Sequence, residues 1–188
     1  MLKYIEEAAE YVEITGFRNI QIERPEELLR TVRCGNRPSV SVQFFNANLI
    51  ATWEHLYFAV LNALTAFRTK RNISKSLAVE VMLYASAQRQ IRKAIELVGV
   101  KPGCGDVAVV VVGENAEAVE AAVTSVSEHF CREADERVLE LSPAKTQEIR
   151  RAFTITAKEL AVVTKEGEAE RALVDLVIER MALLATRL

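Results

Sequence analysis

The sequence predicts an α+β protein, in which a small mixed or antiparallel sheet of about four strands is covered by helices and the C-terminal part is helical. Strand-like segments come early in the chain, helical periodicity dominates its later part, and residues 107–112 form one continuous apolar run. No internal repeat, low-complexity linker or change of composition divides the 188 residues. We therefore expect a single domain over residues 1–188, long enough to bury a core.

The N-terminal part is predicted to hold two strands and a short helix. Residues 11–21 alternate with β-branched positions, which predicts a strand. Pro25, at a first helical turn with acidic neighbours, predicts a short helix over residues 24–29. Residues 34–38 (CGNRP) are typical of a turn, and the alternation of residues 39–45 predicts the second strand.

The middle of the chain is predicted to alternate between helix and strand. Residues 52–67 repeat apolar side chains at helical spacing, with Thr52 placed to cap the helix through its hydroxyl. Residues 77–85 favour a strand, although helical periodicity is not excluded. Residues 87–98 predict a helix, and Gly99 after it predicts a left-handed C-terminal residue.

The later part of the chain is predicted to be one buried strand followed by helices. The apolar, mostly β-branched run at residues 107–112 predicts a strand covered on both faces. Ser142 and Pro143 suit the cap and first position of a helix. Helices are predicted over residues 114–130, 142–151, 156–162 (one or two turns) and 168–188.

Composition and cysteine usage predict a cytoplasmic protein without a metal or cofactor. No apolar run approaches the roughly 20 residues of a membrane span, and residues 1–7 are acidic and lack a signal-peptide core. His55 and His129 have no neighbours at metal-binding spacing. The cysteines are odd in number and widely spaced, which favours a reducing compartment. They are Cys34, Cys104 and Cys131.

The motifs of common catalytic sites are missing from the sequence. It contains no P-loop lysine motif, no GxGxxG, no GxSxG and no HExxH. No serine–histidine–acid or cysteine–histidine arrangement can be placed by spacing. His55, near a predicted helix start, suits a packed or capping role better than that of a general base. The sequence therefore predicts a protein that is not an enzyme.

The strongest functional signal is a basic window over residues 55–95. Its seven lysines and arginines are opposed by Glu80 alone, so the window carries +6 while the remaining chain carries −8 of the total −2. This concentration indicates a local anionic partner, with phosphate the leading candidate. The alternative is a solvated face with counter-charges folded against it.

The polar side chains of the window suit RNA. Hydroxyls and amides can bind phosphate oxygens or 2′-hydroxyls, and the ring of Tyr84 could stack on an unpaired base. A half-buried core tyrosine is the alternative for Tyr84.

The window also resembles a known family. Residues 70–77 (KRNISKSL) and 80–91 (EVMLYASAQRQI) are similar to the kinase-binding subunit of the KEOPS (EKC) complex, the family of the PRPK-binding protein and its archaeal counterparts. The similarity extends back to residues 53–55 and forward to residues 106–113. The chain departs from the family pattern at Ala87, where glycine is expected.

The resemblance implies a non-catalytic subunit of the complex that installs threonylcarbamoyl-adenosine in tRNA. Such a subunit docks on and regulates the atypical kinase subunit and binds tRNA, including its 3′ CCA end. Carried over by motif, the tRNA-binding candidates are Lys70, Arg71, Asn72, Ser74, Lys75, Ser76, Tyr84, Ser86, Arg89 and Gln90.

The last predicted helix supplies a candidate kinase-docking face. Wound at roughly 100° per residue, residues 168–186 present an apolar arc of roughly 220°, whereas a helix covering its own core needs little more than about 100°. The excess predicts a second apolar contact, and the resemblance implies that the contact is the kinase. A helix buried deeply in its own domain is the alternative. The docking candidates are Val177, Met181, Leu183 and Leu184.

Two other functions stay open at this point. One is an enzyme that binds a small anionic substrate at the same basic segment. The other is a purely structural adaptor without RNA contact.

Overall fold

The computed structural model describes residues 2–25, 27–28, 40–165 and 168–186. The predicted turn at residues 34–38 lies outside them, as do residues 26 and 29 of the helix predicted over residues 24–29. The strands are β1 Leu2–Ile5, β2 Glu10–Phe17, β3 Val40–Asn46 and β4 Val107–Gly113. The helices are α1 Trp53–Arg68, α2 Leu77–Ala85, α3 Ile91–Val98, α4 Ala116–Phe130, α5 Pro143–Ala152, α6 Ala157–Val163 and α7 Ala169–Thr186. Two 3₁₀ turns, Ala47–Leu49 and Glu136–Leu139, complete the described elements.

The four strands form one antiparallel sheet in the order β1-β2-β4-β3. Every residue of β4 is buried, which confirms the predicted strand that is covered on both faces. Val112 pairs with Val12 on one side and with Ser41 on the other, so β4 is central. The α+β class and the small sheet are therefore confirmed, while β1 is a strand that was not predicted.

The sheet separates two hydrophobic clusters, because successive side chains of a strand point to opposite faces. Val109 and Val111 of β4 pack with α4 residues such as Val119 and Val126. Val110 and Val112 of β4 face the larger cluster, to which α1, α2, α5 and α7 all contribute. The helical layer over this second face carries the candidate functional surface.

Residues 77–85 form the helix α2, so the predicted strand is wrong. The segment is apolar almost throughout, and such a run satisfies a strand pattern and a helix pattern equally. Its burial decides the matter, since seven of its nine residues are buried between α1, β3 and α7. Within that layer the backbone must satisfy its own hydrogen bonds, which a helix does.

Two predicted helix-end details are also corrected. Thr52 is the N-cap residue of α1, but its side chain makes no capping bond. Gly99 follows α3 in an extended conformation, with φ −70°, and is not left-handed. Glycine is needed there for space, because a Cβ at residue 99 would lie 2.4 Å from the carbonyl oxygen of Ile95.

Candidate nucleic-acid interface

The basic loop, residues 70–76, begins where α1 ends in a left-handed residue. Lys70 has φ 57°, and the backbone N–H groups of Lys70 and Arg71 donate to the carbonyls of Phe67 and Ala66. This is the Schellman arrangement, which usually places glycine at the left-handed position. The chain therefore reverses at Lys70, and both basic side chains are exposed.

Glu80 anchors the basic loop from below. Its side chain, on the first turns of α2, is fully buried. Oε2 accepts from the backbone N–H groups of Ser74 at 2.7 Å and Ile73 at 3.0 Å, and Oε1 accepts from Ile73 at 3.1 Å. Hydrogen bonds to a carboxylate are about twice as strong as neutral ones. The loop backbone is thus bound to the core through one acidic side chain.

Polar side chains of the loop complete its internal bonding. The Asn72 amide donates to the Ser74 carbonyl at 2.9 Å, and the Ser74 hydroxyl accepts from the Ser76 backbone N–H at 3.1 Å. Ser74 is buried, whereas Asn72 and Ser76 are partly exposed. Ser74 therefore supports the loop, while Asn72 and Ser76 retain surface that a ligand can reach.

The cations of the basic loop point to solvent and have no acidic partner in the part of the chain that the structure describes. Lys70, Arg71 and Lys75 are exposed, and none forms a salt bridge with another described residue. The acid closest in sequence, Glu80, is occupied with backbone amides. Over the described residues, this arrangement disfavours a face neutralised by folded counter-charges and leaves a positive surface.

Tyr84 and Ser86 lie in the core. The Tyr84 side chain is only 2% exposed, so its ring offers no face on which a base can stack, and that part of the prediction is corrected. Burial raises the pKa of the Tyr84 hydroxyl, and the charge of Glu80 adds to this effect. The Ser86 hydroxyl is fully buried and donates to the Leu83 carbonyl. Strand alternation would have placed Tyr84 outward, but the helix turns it inward.

Arg89 and Gln90 form a second exposed group at the opposite end of α2. The two groups flank opposite ends of α2, a nine-residue helix about 13 Å long. Ala87 has φ 51° and ends α2 in the same way that Lys70 ends α1. This left-handed conformation explains why glycine suits the position. It also excludes residue 87 from the helix predicted over residues 87–98, and α3 begins at Ile91.

Helix α3, whose residues were not among the candidates, carries two further exposed cations in its first turn. Arg92 and Lys93 are exposed, with Arg92 paired to Glu96 at 2.9 Å. Ile91 and Ile95, one turn apart, are 44% and 49% exposed. The spacing of these isoleucines was visible in the sequence, but only the packed structure shows that they face solvent.

His55 joins the two helices that carry the basic loop. Its Nδ1 accepts from the Ala51 backbone N–H at 3.1 Å, and its Nε2 donates to the Ala85 carbonyl at 2.8 Å. Burial lowers the pKa of His55 to about 4, and the charge of Lys145 contributes in the same direction. The ring is neutral and fully buried, which confirms the packed role. Its two hydrogen bonds fix the tautomer that carries the proton on Nε2.

The predicted docking face on α7 is mostly internal. Val177 and Met181 are fully buried and Leu184 is 6% exposed, whereas Leu183 is 38% exposed. Helix α7 contacts α1, α2, α5 and α6, and these neighbours cover its wide apolar arc. The inference of a second contact from the arc alone is therefore corrected, and Leu183 is the predicted docking residue that a partner can reach.

Two further features bear on the kind of protein. Within the described residues, no helix combines the length and apolar character that crossing a membrane requires. The same residues hold no group of three or more histidine, cysteine, aspartate or glutamate side chains placed to bind a metal ion.

The sheet, its helical layer and the exposed basic loop define an α+β protein with a localised anion-attracting surface. The family model for "Kinase binding protein CGI-121" matches residues 17–185. A relative named "Regulatory protein Cgi121", from Methanocaldococcus jannaschii, is 35% identical over 113 residues, which cover 60% of this chain and 70% of the relative. The chain belongs to the CGI-121 kinase-binding family.

Proposed function

We propose that this chain is a non-catalytic, cytoplasmic subunit of the KEOPS complex, the assembly that installs threonylcarbamoyl-adenosine in tRNA. In this role it docks on and regulates the atypical kinase subunit and binds tRNA, including the single-stranded 3′ CCA end. Membership of a family described as kinase-binding supports the first activity. The basic loop supports the second.

The observation that carries the tRNA proposal is a set of three cations on an ordered loop, none of them in an ion pair with another described residue. Lys70, Arg71 and Lys75 suit phosphate groups, because sequence-independent RNA affinity comes chiefly from neutralising the backbone. Asn72 and Ser76 add polar groups for phosphate or 2′-hydroxyl oxygens. The buried Ser74, Ser86 and Tyr84 support the surface from within.

The second group at the far end of α2 extends this surface. Arg89 and Gln90 follow the end of α2 opposite to the basic loop, and α2 itself is about 13 Å long. An RNA strand that reaches both ends of α2 would meet cations at each end, and the α3 cations Arg92 and Lys93 lie next to the second end in sequence. Proteins that bind single strands place positive charge along the path of the nucleic-acid backbone, and cations at two separate points suit such a path.

An electrophoretic shift with intact tRNA against tRNA lacking CCA tests the proposal. We expect the isolated chain to bind intact tRNA more tightly, and the Lys70→Glu/Arg71→Glu variant to lose binding while keeping its fold, since exposed charges contribute little to stability. Lys158→Glu, an exposed charge reversal on α6, is the control and should bind normally. Equal binding of both tRNAs by all variants would contradict a site for the 3′ end at this loop.

The kinase proposal has its own experiment. The purified chain should not hydrolyse ATP, but it should change the activity of the kinase subunit when the two are mixed. Nucleotide turnover that a point substitution in this chain abolishes would favour the enzyme alternative. Kinase regulation without any tRNA binding would favour the structural adaptor.

A further inference from the structure

We infer that Glu80 is a positioning residue, which holds the basic loop in the conformation that binds the phosphate backbone of tRNA. The inference rests on the proposed function and assigns a role to the one acid of the basic window. Glu80 does not touch the ligand in this account. It acts through the loop backbone, and therefore through the placement of Lys70, Arg71 and Lys75.

The burial of Glu80 calls for a specific role. A fully buried carboxylate is costly unless its oxygens are hydrogen-bonded. Here Oε2 accepts from the consecutive backbone N–H groups of Ile73 and Ser74, and Oε1 accepts from that of Ile73, at 2.7 to 3.1 Å. These hydrogen bonds offset the free-energy cost of burying the carboxylate, and they attach the centre of the loop to α2.

Apart from the Ile73 side chain, which packs against the core, the loop has few other attachments to the described part of the chain. Its start is fixed by the backbone bonds of Lys70 and Arg71 to α1, and its end by the first turn of α2. Between those ends, the bonds of Asn72 and Ser76 stay within the loop. Among the described contacts, the Glu80 carboxylate is therefore the polar attachment of the loop centre.

Preorganisation connects this anchor to affinity. Ordering a loop at the moment of binding lowers the apparent affinity by the fraction of molecules that hold the competent conformation. A loop already held by Glu80 avoids most of that cost. Its cations then meet the phosphates with less entropy to lose.

Glu80→Gln separates this role from simple electrostatics. The substitution removes a negative charge beneath the basic loop, so charge alone predicts tighter tRNA binding. The Gln amide, however, keeps one accepting oxygen and turns an N–H₂ group towards backbone N–H groups. We expect tRNA binding to weaken about tenfold, and amide hydrogen exchange at Ile73 and Ser74 to accelerate.

Two controls exclude indirect effects. Glu133→Gln removes one exposed negative charge away from the loop and should bind tRNA as well as the wild type or slightly better. Val126→Ala leaves a cavity on the opposite face of the sheet and should lower stability without changing the affinity of the folded protein. If Glu80→Gln does not fold, Glu80→Asp carries the test, because it keeps the charge but withdraws the carboxylate from the loop.

The outcomes are distinguishable. Weaker binding with faster exchange at Ile73 and Ser74, and normal binding by both controls, supports the inference. Binding by the Glu80 variant as tight as that of the wild type overturns it, even if the protein is less stable. If the wild-type chain binds no tRNA, the proposed function fails, and unchanged exchange at the two amides would remove the anchor as well.

Discussion

The basic loop connects α1 to α2, and α7 packs against both helices, yet the two regions meet solvent in opposite ways. The loop exposes its cations above a backbone that Glu80 holds. Helix α7 turns most of its large apolar side chains into the core and leaves Leu183 38% exposed. One region offers charge on an ordered backbone, and the other offers a single leucine on a buried helix.

This difference shows which surface features follow from the local sequence and which depend on how distant elements pack. Lysine and arginine are rarely buried without partners, so a cluster of cations lies at the surface whatever the packing. An apolar face can be covered either by the chain itself or by another protein, and helical spacing does not distinguish these cases. The placement of α7 was decided by α1, α2, α5 and α6.

The largest expected effect separates two adjacent leucines of α7. Leu184→Glu should destabilise the fold by at least about 3 kcal/mol, because it removes a buried leucine and introduces a charge into the core. Leu183→Glu should cost less than about 1 kcal/mol, because that side chain is partly exposed. Urea unfolding measures both free energies.

Kinase binding by the same pair sharpens the comparison. Leu183→Glu should stay folded and lose co-purification with the kinase subunit, while its tRNA binding is retained. Full-strength kinase binding by this variant would place the docking face elsewhere. A stable Leu184→Glu protein would show that the helix is less firmly packed than its 6% exposure implies.

The next prediction concerns the loss of stability at acid pH that is caused by His55, which joins the two helices flanking the basic loop. The pKa of His55 is about 4 in the folded chain, against an ordinary value of 6.5 for an exposed histidine, so the unfolded chain binds the extra proton between these values. Stability should therefore fall as the pH drops from 6.5 towards 4, by about 3 kcal/mol from this residue. Urea unfolding across this range tests the slope, and His55→Gln should flatten it. An equal slope in the variant would assign the acid sensitivity to other groups.

The smallest effect compares two left-handed residues that end helices. Ala87→Gly should stabilise the fold by up to about 1 kcal/mol, because glycine adopts a positive φ without strain. Lys70→Gly should relieve similar strain but weaken tRNA binding, because it removes a loop cation. Thermal unfolding and a binding titration on each variant check the pair. If only Ala87→Gly showed reduced tRNA affinity, the important RNA contact would lie at the far end of α2 and not at the basic loop.

Much of the fold was predictable from the sequence because its signals are local. The β-branched run of β4 and the Ser142–Pro143 start of α5 identified their elements, and Ser142 does cap α5 by accepting from the Lys145 N–H. Helix α2 was missed because an almost wholly apolar segment carries both periodicities. Its assignment depended on neighbours that lie far away in sequence.

The candidate site was predictable in its charges but not in its support. The tRNA candidates Lys70, Arg71 and Lys75 lie at the surface, as such a role requires, whereas Tyr84, assigned to a strand, turns inward with the helix. Glu80 was counted only as an opposing charge. Its position three residues into an assumed strand hid the fact that a helix directs its carboxylate back to the loop.

The salt dependence of tRNA binding tests the central claim most directly, namely that the loop cations bind tRNA phosphates. The logarithm of the affinity should fall linearly with the logarithm of the salt concentration, and neutralising Lys70, Arg71 or Lys75 to glutamine should each reduce the slope by roughly 0.7, the value for single strands. Lys158→Gln, the matched neutralisation on α6, should leave the slope unchanged. An unchanged slope in all three loop variants, or an equal reduction in Lys158→Gln, would contradict the account.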